Sequence, residues 1–327
     1  MGNRILEISA ISSPLRATFA ISRGSKTHAD TVQVAISDGK IRGRGECVPY
    51  ARYGETIDSV FAQIETVRDR IEAGMDRAAL QDALSPGAAR CAIDCALWDL
   101  EAKLTGKPVW QLAGLPEPKP LETAVTVSLD TPEAMAEAAK GTAGKLLKLK
   151  LGGPDDLARV EAVHAARPDA RLIVDGNEGL PADQLPAIAK AAARLGVVLI
   201  EQPFPASGDE GLMRRPGPVA ICADESAHTA NELQDLSRRY DAVNVKLDKA
   251  GGLTEALAMV REARACGLGV MVGCMVAGSI SMAPAVLLAG LADAADVDGP
   301  LWLKEDVAHG LRFEDGRVFP PEPALWG

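Results

Sequence analysis

Histidine is scarce in this chain, with four residues scattered along 327 positions, which argues against an imidazole-rich metal centre. Cysteine is little used as well. The six cysteines (Cys47, Cys91, Cys95, Cys222, Cys266 and Cys274) include no CxxC, and Cys91 and Cys95 lie four apart in an alanine-rich helical pattern. They read as small buried hydrophobes of a reducing cytosol, not as a disulfide frame or zinc site. Positive charge is not in excess: the net charge is -10, which argues against a nucleic-acid partner, since phosphate binding needs clustered Lys and Arg. No apolar leader is expected, because Arg4, Glu7 and Arg16 interrupt the first stretch. The uncharged run between Arg264 and Asp293 is long enough to cross a bilayer. Gly267, Gly269, Gly273, Gly278 and Pro284 break it, so it reads as a buried strand, a glycine-rich turn and an apolar helix. These absences lead to a cytoplasmic protein with no membrane and no nucleic-acid partner.

What remains is ordinary globular composition, 47% hydrophobic and 24% charged, enough for one large domain or two. The first third reads as α+β. Extended stretches lead into a hairpin, with Asp38-Gly39 between VQVAIS and KIRGRGE as a type I′ signal. Helical patterns follow near 55–73, 76–84 and 87–104, the last stopped by Gly106 and Pro108. From about residue 121 short apolar runs alternate with helical stretches: ETAVTVS, KLLKLKL, RLIVD, GVVLIE, VAICADE, DAVNVKL, LGVMVG and ADVD. Eight runs buried on both faces describe a parallel sheet, and eight is the number that closes a barrel. The expected organisation is an α+β capping domain over 1–115, a barrel over 116–300, and a segment over 301–327 that returns to the cap.

Charge inside these apolar runs carries the functional reading. Lys150, Asp175, Glu201, Asp224 and Lys246 end the second to sixth runs, with gaps of 25, 26, 23 and 22 residues. Each falls at the carboxyl end of its strand, the face where barrel enzymes keep their active sites. Steps of roughly 45° set strands two and six opposite each other, so Lys150 and Lys246 face across the mouth. Asp175, Glu201 and Asp224 lie side by side between them. Three adjacent carboxylates repel unless a cation neutralises them, and all-oxygen ligation suits Mg²⁺. A metal that holds a substrate carboxylate stabilises the enediolate left when the α-proton departs. A lysine on each side then removes the proton or returns one to the opposite face, which is epimerisation by two-base 1,1-proton transfer. Lys148, on the same strand face as Lys150, reads as a supporting charge that lowers the pKa of that base. Asp296 and Asp298 share one face of strand eight and suit a substrate ammonium.

Each residue has a blander reading. Lys148 and Lys150 could be edge-strand gatekeepers, Asp175 and Asp296 turn residues near glycine, and Asp224 part of a helix cap. Glu201 and Lys246 inside apolar runs resist such readings. Five matches in successive strands are not accidental. Two other classes stay open: a Schiff-base lyase using Lys246, and a non-catalytic peptide-binding barrel.

Nearly the whole chain resembles the muconate-lactonising branch of the enolase superfamily. The resemblance is carried by KLKLG at 148–152, VDGN with Asp175 and Asn177, IEQP with Glu201, ADES with Asp224, and VKLDKAGG with Lys246; AIDCALWDLEAK at 92–103 resembles the helix before that family's barrel. It implies a (β/α)7β TIM-like barrel with an N-terminal α+β capping domain, an Mg²⁺ cofactor on the three carboxylates, and Lys150 and Lys246 as acid and base. Within the branch, Asp296-Val297-Asp298 with GCM at 273–275 most resembles dipeptide epimerases acting on L-Ala-D/L-Glu, as in murein peptide recycling. That resemblance assigns the ammonium to the aspartate pair and a glutamate side chain to an arginine in AISRGSKTHA, here Arg23. It places Tyr50 and Arg52 in the same lid and Thr126 near the substrate. Ala277 departs from an acidic residue of several relatives, so o-succinylbenzoate synthesis, cycloisomerisation and N-acylamino-acid racemisation remain alternatives. No histidine lies between His228 and His309, which counts against a sugar-acid dehydratase. A homo-oligomer is compatible with this reading, but no interface signal is visible.

Overall fold

The long alternating stretches of the first third become three antiparallel strands, β1 (Arg4–Ile21), β2 (Gly24–Asp38) and β3 (Ile41–Cys47), in the order β1-β2-β3. The structure, a computed structural model, describes residues 4–213 and 219–327. Asp38 still pairs with Ile41, so the second turn is Gly39-Lys40, one residue later than expected. Only Gly39 has a positive φ there; a type I′ turn needs one at both central positions. Helices α1 (Ile57–Glu65), α2 (Arg68–Glu72), α3 (Arg77–Ala83) and α4 (Ala88–Thr105) follow. The pattern expected over 55–73 is therefore two helices. They part at Thr66-Val67, where the backbone tightens to i→i+3 hydrogen bonds and the Thr66 hydroxyl donates to Gln63 O.

Glycine spacing explains how the cap sheet meets α4. A Cβ on Gly43 or Gly45 would lie 2.2 or 2.1 Å from the carbonyls of Ala96 and Ala92. The two glycines lie two apart on one strand face, so β3 rests directly on the helix backbone. The opposite side of α4 joins the barrel. Arg90 donates to the carbonyls of Ala250 (2.7 Å) and Gly251, and Asp94 accepts from the amide and hydroxyl of Thr254. Gly251 and Gly252 both have positive φ and leave no room for a Cβ against these side chains.

After α5 (Val109–Leu112) and the short β4 (Leu121–Glu122), the second part is the eight-stranded parallel sheet that the apolar runs predicted. Its strands are β5 (Val125–Val127), β6 (Leu146–Lys150), β7 (Arg171–Asp175), β8 (Val197–Glu201), β9 (Ala220–Ala223), β10 (Ala242–Val245), β11 (Gly269–Val272) and β12 (Ala294–Ala295). They neighbour each other in sequence order, and the Ala124 amide donates to Ala295 O at 2.8 Å, joining first strand to last. The intervening helices include α6 (Pro132–Lys140), α7 (Asp156–Ala166), α8 (Leu185–Ala192), α9 (Leu233–Leu236), α10 (Leu247–Ala250) and α11 (Leu253–Ala265). The uncharged run becomes β11, a turn and the buried α12 (Ser279–Ala289). Among the described residues no helix is long and apolar enough to cross a membrane. At the C-terminus, Arg317–Val318 (β14) pairs with Phe313–Glu314 (β13) on one side and with β4 on the other. Trp326 is buried and donates to Cys95 O, while Gly327 O accepts from the Val109 amide.

Candidate active site

The barrel strands end in the charges that the sequence pattern singled out. Lys150 is the register partner of Asp175 on β7, and Asp175 that of Glu201 on β8; Asp224 follows β9 directly and Lys246 follows β10. Parallel pairing sets Lys150, Asp175 and Glu201 at one level, with Asp224 two residues beyond the partner of Glu201, so five charged side chains gather at one end of the sheet, all at most 7% exposed. Asn177, Glu178 and Gln202, just beyond β7 and β8, take positive φ without being glycine. Such strained backbone clusters at functional sites, where the surroundings over-determine it.

The charges neutralise each other in a network. Lys150 Nζ lies 2.7 Å from Asp175 Oδ2, and Lys246 Nζ 2.6 Å from Asp224 Oδ2. Lys148 Nζ sits among three carboxylates: Glu201 Oε2 at 2.7 Å, Asp296 Oδ2 at 2.7 Å and Asp175 Oδ2 at 3.2 Å. Burial would lower the pKa of Lys148, but Asp296, Glu201 and Asp175 outweigh it and hold the ammonium well above the ordinary lysine range. Lys246 is held up in the same way, with Asp224 overcoming burial. Burial also works against ionised Asp175, yet Lys150 and Lys148 bring its pKa down to about 2. Glu201 goes the other way, pushed up to about 8 by burial and by the charge of Asp175.

Sequence reasoning missed several supporting groups. Lys249 Nζ is 2.6 Å from Asp224 Oδ1, and the Asn244 amide donates to Glu201 Oε1 at 2.7 Å. Both lie within the strand-six motif, two residues before and three after Lys246, but nothing in a single sequence says where they point. Glu178, beside the strained Asn177, accepts two 2.7 Å bonds from Arg52 and one from Arg23.

The donor set fits a hard divalent cation. Asp175, Glu201 and Asp224 offer only oxygen, and Glu201 Oε2, though close to Lys148, accepts no hydrogen bond. The repulsion that raises Glu201 is also what a cation relieves. Among the described residues, no three Asp, Glu, Cys or His groups are already gathered as metal ligands; ammonium groups stand among these carboxylates instead.

A cavity of about 560 Å³ opens over the lysines, roofed by the β1–β2 hairpin and residues 50–53. Lys150, Lys246 and Asp224 line its floor; Arg23, Tyr50 and Arg52 line the cap side. Asp175, Glu201, Thr126, Asp296 and Asp298 are buried and do not line it. Asp296 is paired with Lys148, its Oδ1 without a hydrogen bond. Asp298 accepts from the Thr126 amide at 2.7 Å, and burial and Asp296 push it up to about 6. Arg23 donates through its two terminal nitrogens to Glu225 (2.7 Å), Asn177 O (2.6 Å), Glu178 (3.2 Å) and the Tyr50 hydroxyl (3.1 Å).

Comparison with known proteins follows this geometry. Residues 6–114 match the mandelate racemase / muconate lactonizing enzyme N-terminal domain, and residues 131–324 match the enolase C-terminal domain-like family. The chain is 46% identical over 308 residues to an L-Ala-D/L-Glu epimerase of Escherichia coli, covering 93% of this chain and 96% of that protein. It is 43% identical over 299 residues to an N-acetyl-D-glutamate racemase of a Pseudoalteromonas species, covering 90% and 95%. A solved enolase family member from Agrobacterium tumefaciens, homologous to dipeptide epimerases and carrying sodium and L-Ala-L-Glu, superposes with a TM-score of 0.96 at 52% identity, over 99% of this chain and 100% of that one. Motifs, barrel and relatives agree, and the chain belongs to the mandelate racemase / muconate lactonizing family of the enolase superfamily.

Proposed function

We propose that this protein is an Mg²⁺-dependent dipeptide epimerase acting on L-Ala-D/L-Glu or a similar dipeptide. The observation that carries the reading is the pair of lysines, from β6 and β10, at the floor of one cavity with three carboxylates between them. In this reading Asp175, Glu201 and Asp224 hold the metal. Mg²⁺ there supplies Lewis-acid stabilisation of a substrate carboxylate whose α-proton departs. The chain's own groups do the rest. Lys150 Nζ takes or returns the α-proton on one face and Lys246 Nζ on the other. Lys148 spreads its charge over Asp175, Glu201 and Asp296 and keeps these buried carboxylates in register. Lys249 and Asn244 orient Asp224 and Glu201. Asp296 and Asp298, with Thr126 behind them, are the pole for the substrate ammonium; Arg23 and Tyr50 close the cap side. A small dipeptide in a reducing cytosol, where six unpaired cysteines persist, fits the recycling of cell-wall peptides.

A second reading has a specific observation behind it. Asp296 is occupied by Lys148 and Asp298 by the Thr126 amide, which leaves less for an ammonium than two free carboxylates would. An N-acylated glutamate, the substrate class named for the Pseudoalteromonas relative, needs no such pole. Incubation in D₂O with Mg²⁺ separates the two. Deuterium uptake at the C-terminal α-carbon of L-Ala-L-Glu, lost with EDTA, supports the dipeptide reading. Uptake only in N-acetylglutamate replaces it with N-acylamino-acid racemisation, and uptake in neither rejects both.

A further inference from the structure

Behind the carboxylates runs a buried hydrogen-bond chain that the proposed mechanism does not use. Pairing between β8 and β9 ends with Glu201 opposite Cys222, and the Gln202 amide donates to Cys222 O at 2.9 Å. Asp224 lies beyond that pairing. Its amide donates to a side chain, Gln202 Oε1, at 2.8 Å, and the Ser226 amide donates to the same oxygen at 3.2 Å. The Gln202 carbonyl in turn accepts from the Glu178 amide at 2.9 Å. Gln202 thus joins the ends of β7, β8 and β9, the strands that present Asp175, Glu201 and Asp224. It does so at a φ of 29°, strained for a residue with a side chain.

Donor and acceptor chemistry fixes the direction of the chain. Asp209 is buried and paired with Arg239, and its carboxylate only accepts. Its Oδ2 takes the proton of the Tyr240 hydroxyl at 2.6 Å and that of the Ser226 hydroxyl at 2.9 Å. With their protons committed to Asp209, both hydroxyls accept from Gln202, whose Nε2 stands 3.0 Å from Tyr240 Oη and 2.9 Å from Ser226 Oγ. The Gln202 amide is therefore held with Oε1 toward Asp224. We infer that Asp209, acting through Tyr240, Ser226 and Gln202, is a positioning residue for the metal site. It sets the backbone of Asp224, and with it the carboxylate beside Lys246 and Lys249. The inference rests on the reading of Asp175, Glu201 and Asp224 as metal ligands. None of the four members lines the cavity, so their effect falls on the metal and not on substrate contact.

The test is calorimetric titration of Mg²⁺ into the metal-free protein, without substrate, for the wild type, D209N, Y240F and R239Q, with the Tm of each metal-free form alongside. D209N puts a donor where the chain needs an acceptor, and Y240F deletes one link while keeping the ring. Each is expected to raise the Mg²⁺ Kd by about 10-fold or more, the usual worth of groups that orient metal ligands from behind. At saturating Mg²⁺, kcat changes little. R239Q removes the ion pair but leaves Asp209 accepting from both hydroxyls, so Tm falls and Kd stays at the wild-type value. A wild-type Kd in D209N or Y240F overturns the inference, whatever the Tm. So does an equal rise in R239Q, which would mean that the loop after β8 acts only through its general stability. If D209N does not fold, Y240F decides by the same criterion. If the wild type binds no Mg²⁺, the metal reading itself falls, and this inference with it.

Discussion

The barrel mouth and the capping hairpin build opposite sides of one cavity by different means. At the mouth, each charged residue is fixed by its strand: register sets Lys150 beside Asp175 and Asp175 beside Glu201. At the hairpin, position depends on docking across long sequence separations. The Ser22 hydroxyl and Arg23 both donate to Asn177 O, and a Cβ on Gly152 or Gly179 would run into Ser22. Chemistry placed by backbone ladders is rigid, whereas selectivity placed by a docked turn can change without disturbing it.

The sharpest way to break this comparison is at the mouth. Lys150→Ala and Lys246→Ala should each lower epimerisation by about 10²- to 10⁴-fold, the usual worth of a positioned acid or base. Steady-state assays with polarimetric or chiral chromatographic readout measure it. Near-wild-type rates in either variant would remove the two-base scheme. A smaller effect belongs to the hairpin side. Glu178→Gln loosens the bonds to Arg52 and Arg23, and should raise KM roughly 10-fold while kcat changes much less. A kcat loss as deep as that of the lysine variants would place Glu178 with the barrel machinery.

Much of the mouth was legible because two independent patterns coincide there, apolar runs of strand length and charges at their ends. AVNVKL hides Lys246 in a buried strand for no packing reason, and VVLIE does the same for Glu201. The fates of Asp296 and Arg23 were not legible. Asp296 meets Lys148 across the barrel and Arg23 meets Glu225 across 202 residues, and no local spacing encodes such distances. Lys148 was read as tuning Lys150; the structure places its ammonium among Glu201, Asp296 and Asp175. The split of the first cap helix at Thr66-Val67 was hidden because both halves keep one apolar face, with Val60, Ile64 and Ile71 buried.

The smallest expected effect concerns stability at the joint of the two regions. Burial pushes the carboxyls of Glu46 and Asp248 up to about 7, and that of Asp94 to about 6. Each sits where cap and barrel meet: Glu46 accepts from the Gly278 amide, Asp248 from the Val48 amide and Asp94 from Thr254. Their folded pKa values lie above the unfolded ones, so the native state binds more protons and stability falls as pH rises between about 4 and 7. Thermal melts across that range should show a declining Tm, less steep in Glu46→Gln. A rising Tm would contradict the burial assigned to these groups.

The two-base claim is tested most directly by resolving the exchange by stereochemistry. Each lysine variant is incubated in D₂O with Mg²⁺ and, separately, with L-Ala-L-Glu and L-Ala-D-Glu, and deuterium at the glutamyl α-carbon is followed by mass spectrometry. The account predicts that Lys150→Ala exchanges only one epimer and Lys246→Ala only the other, with epimerisation lost in both. Exchange of both epimers by a single variant would mean that one base serves both faces, and would contradict the account.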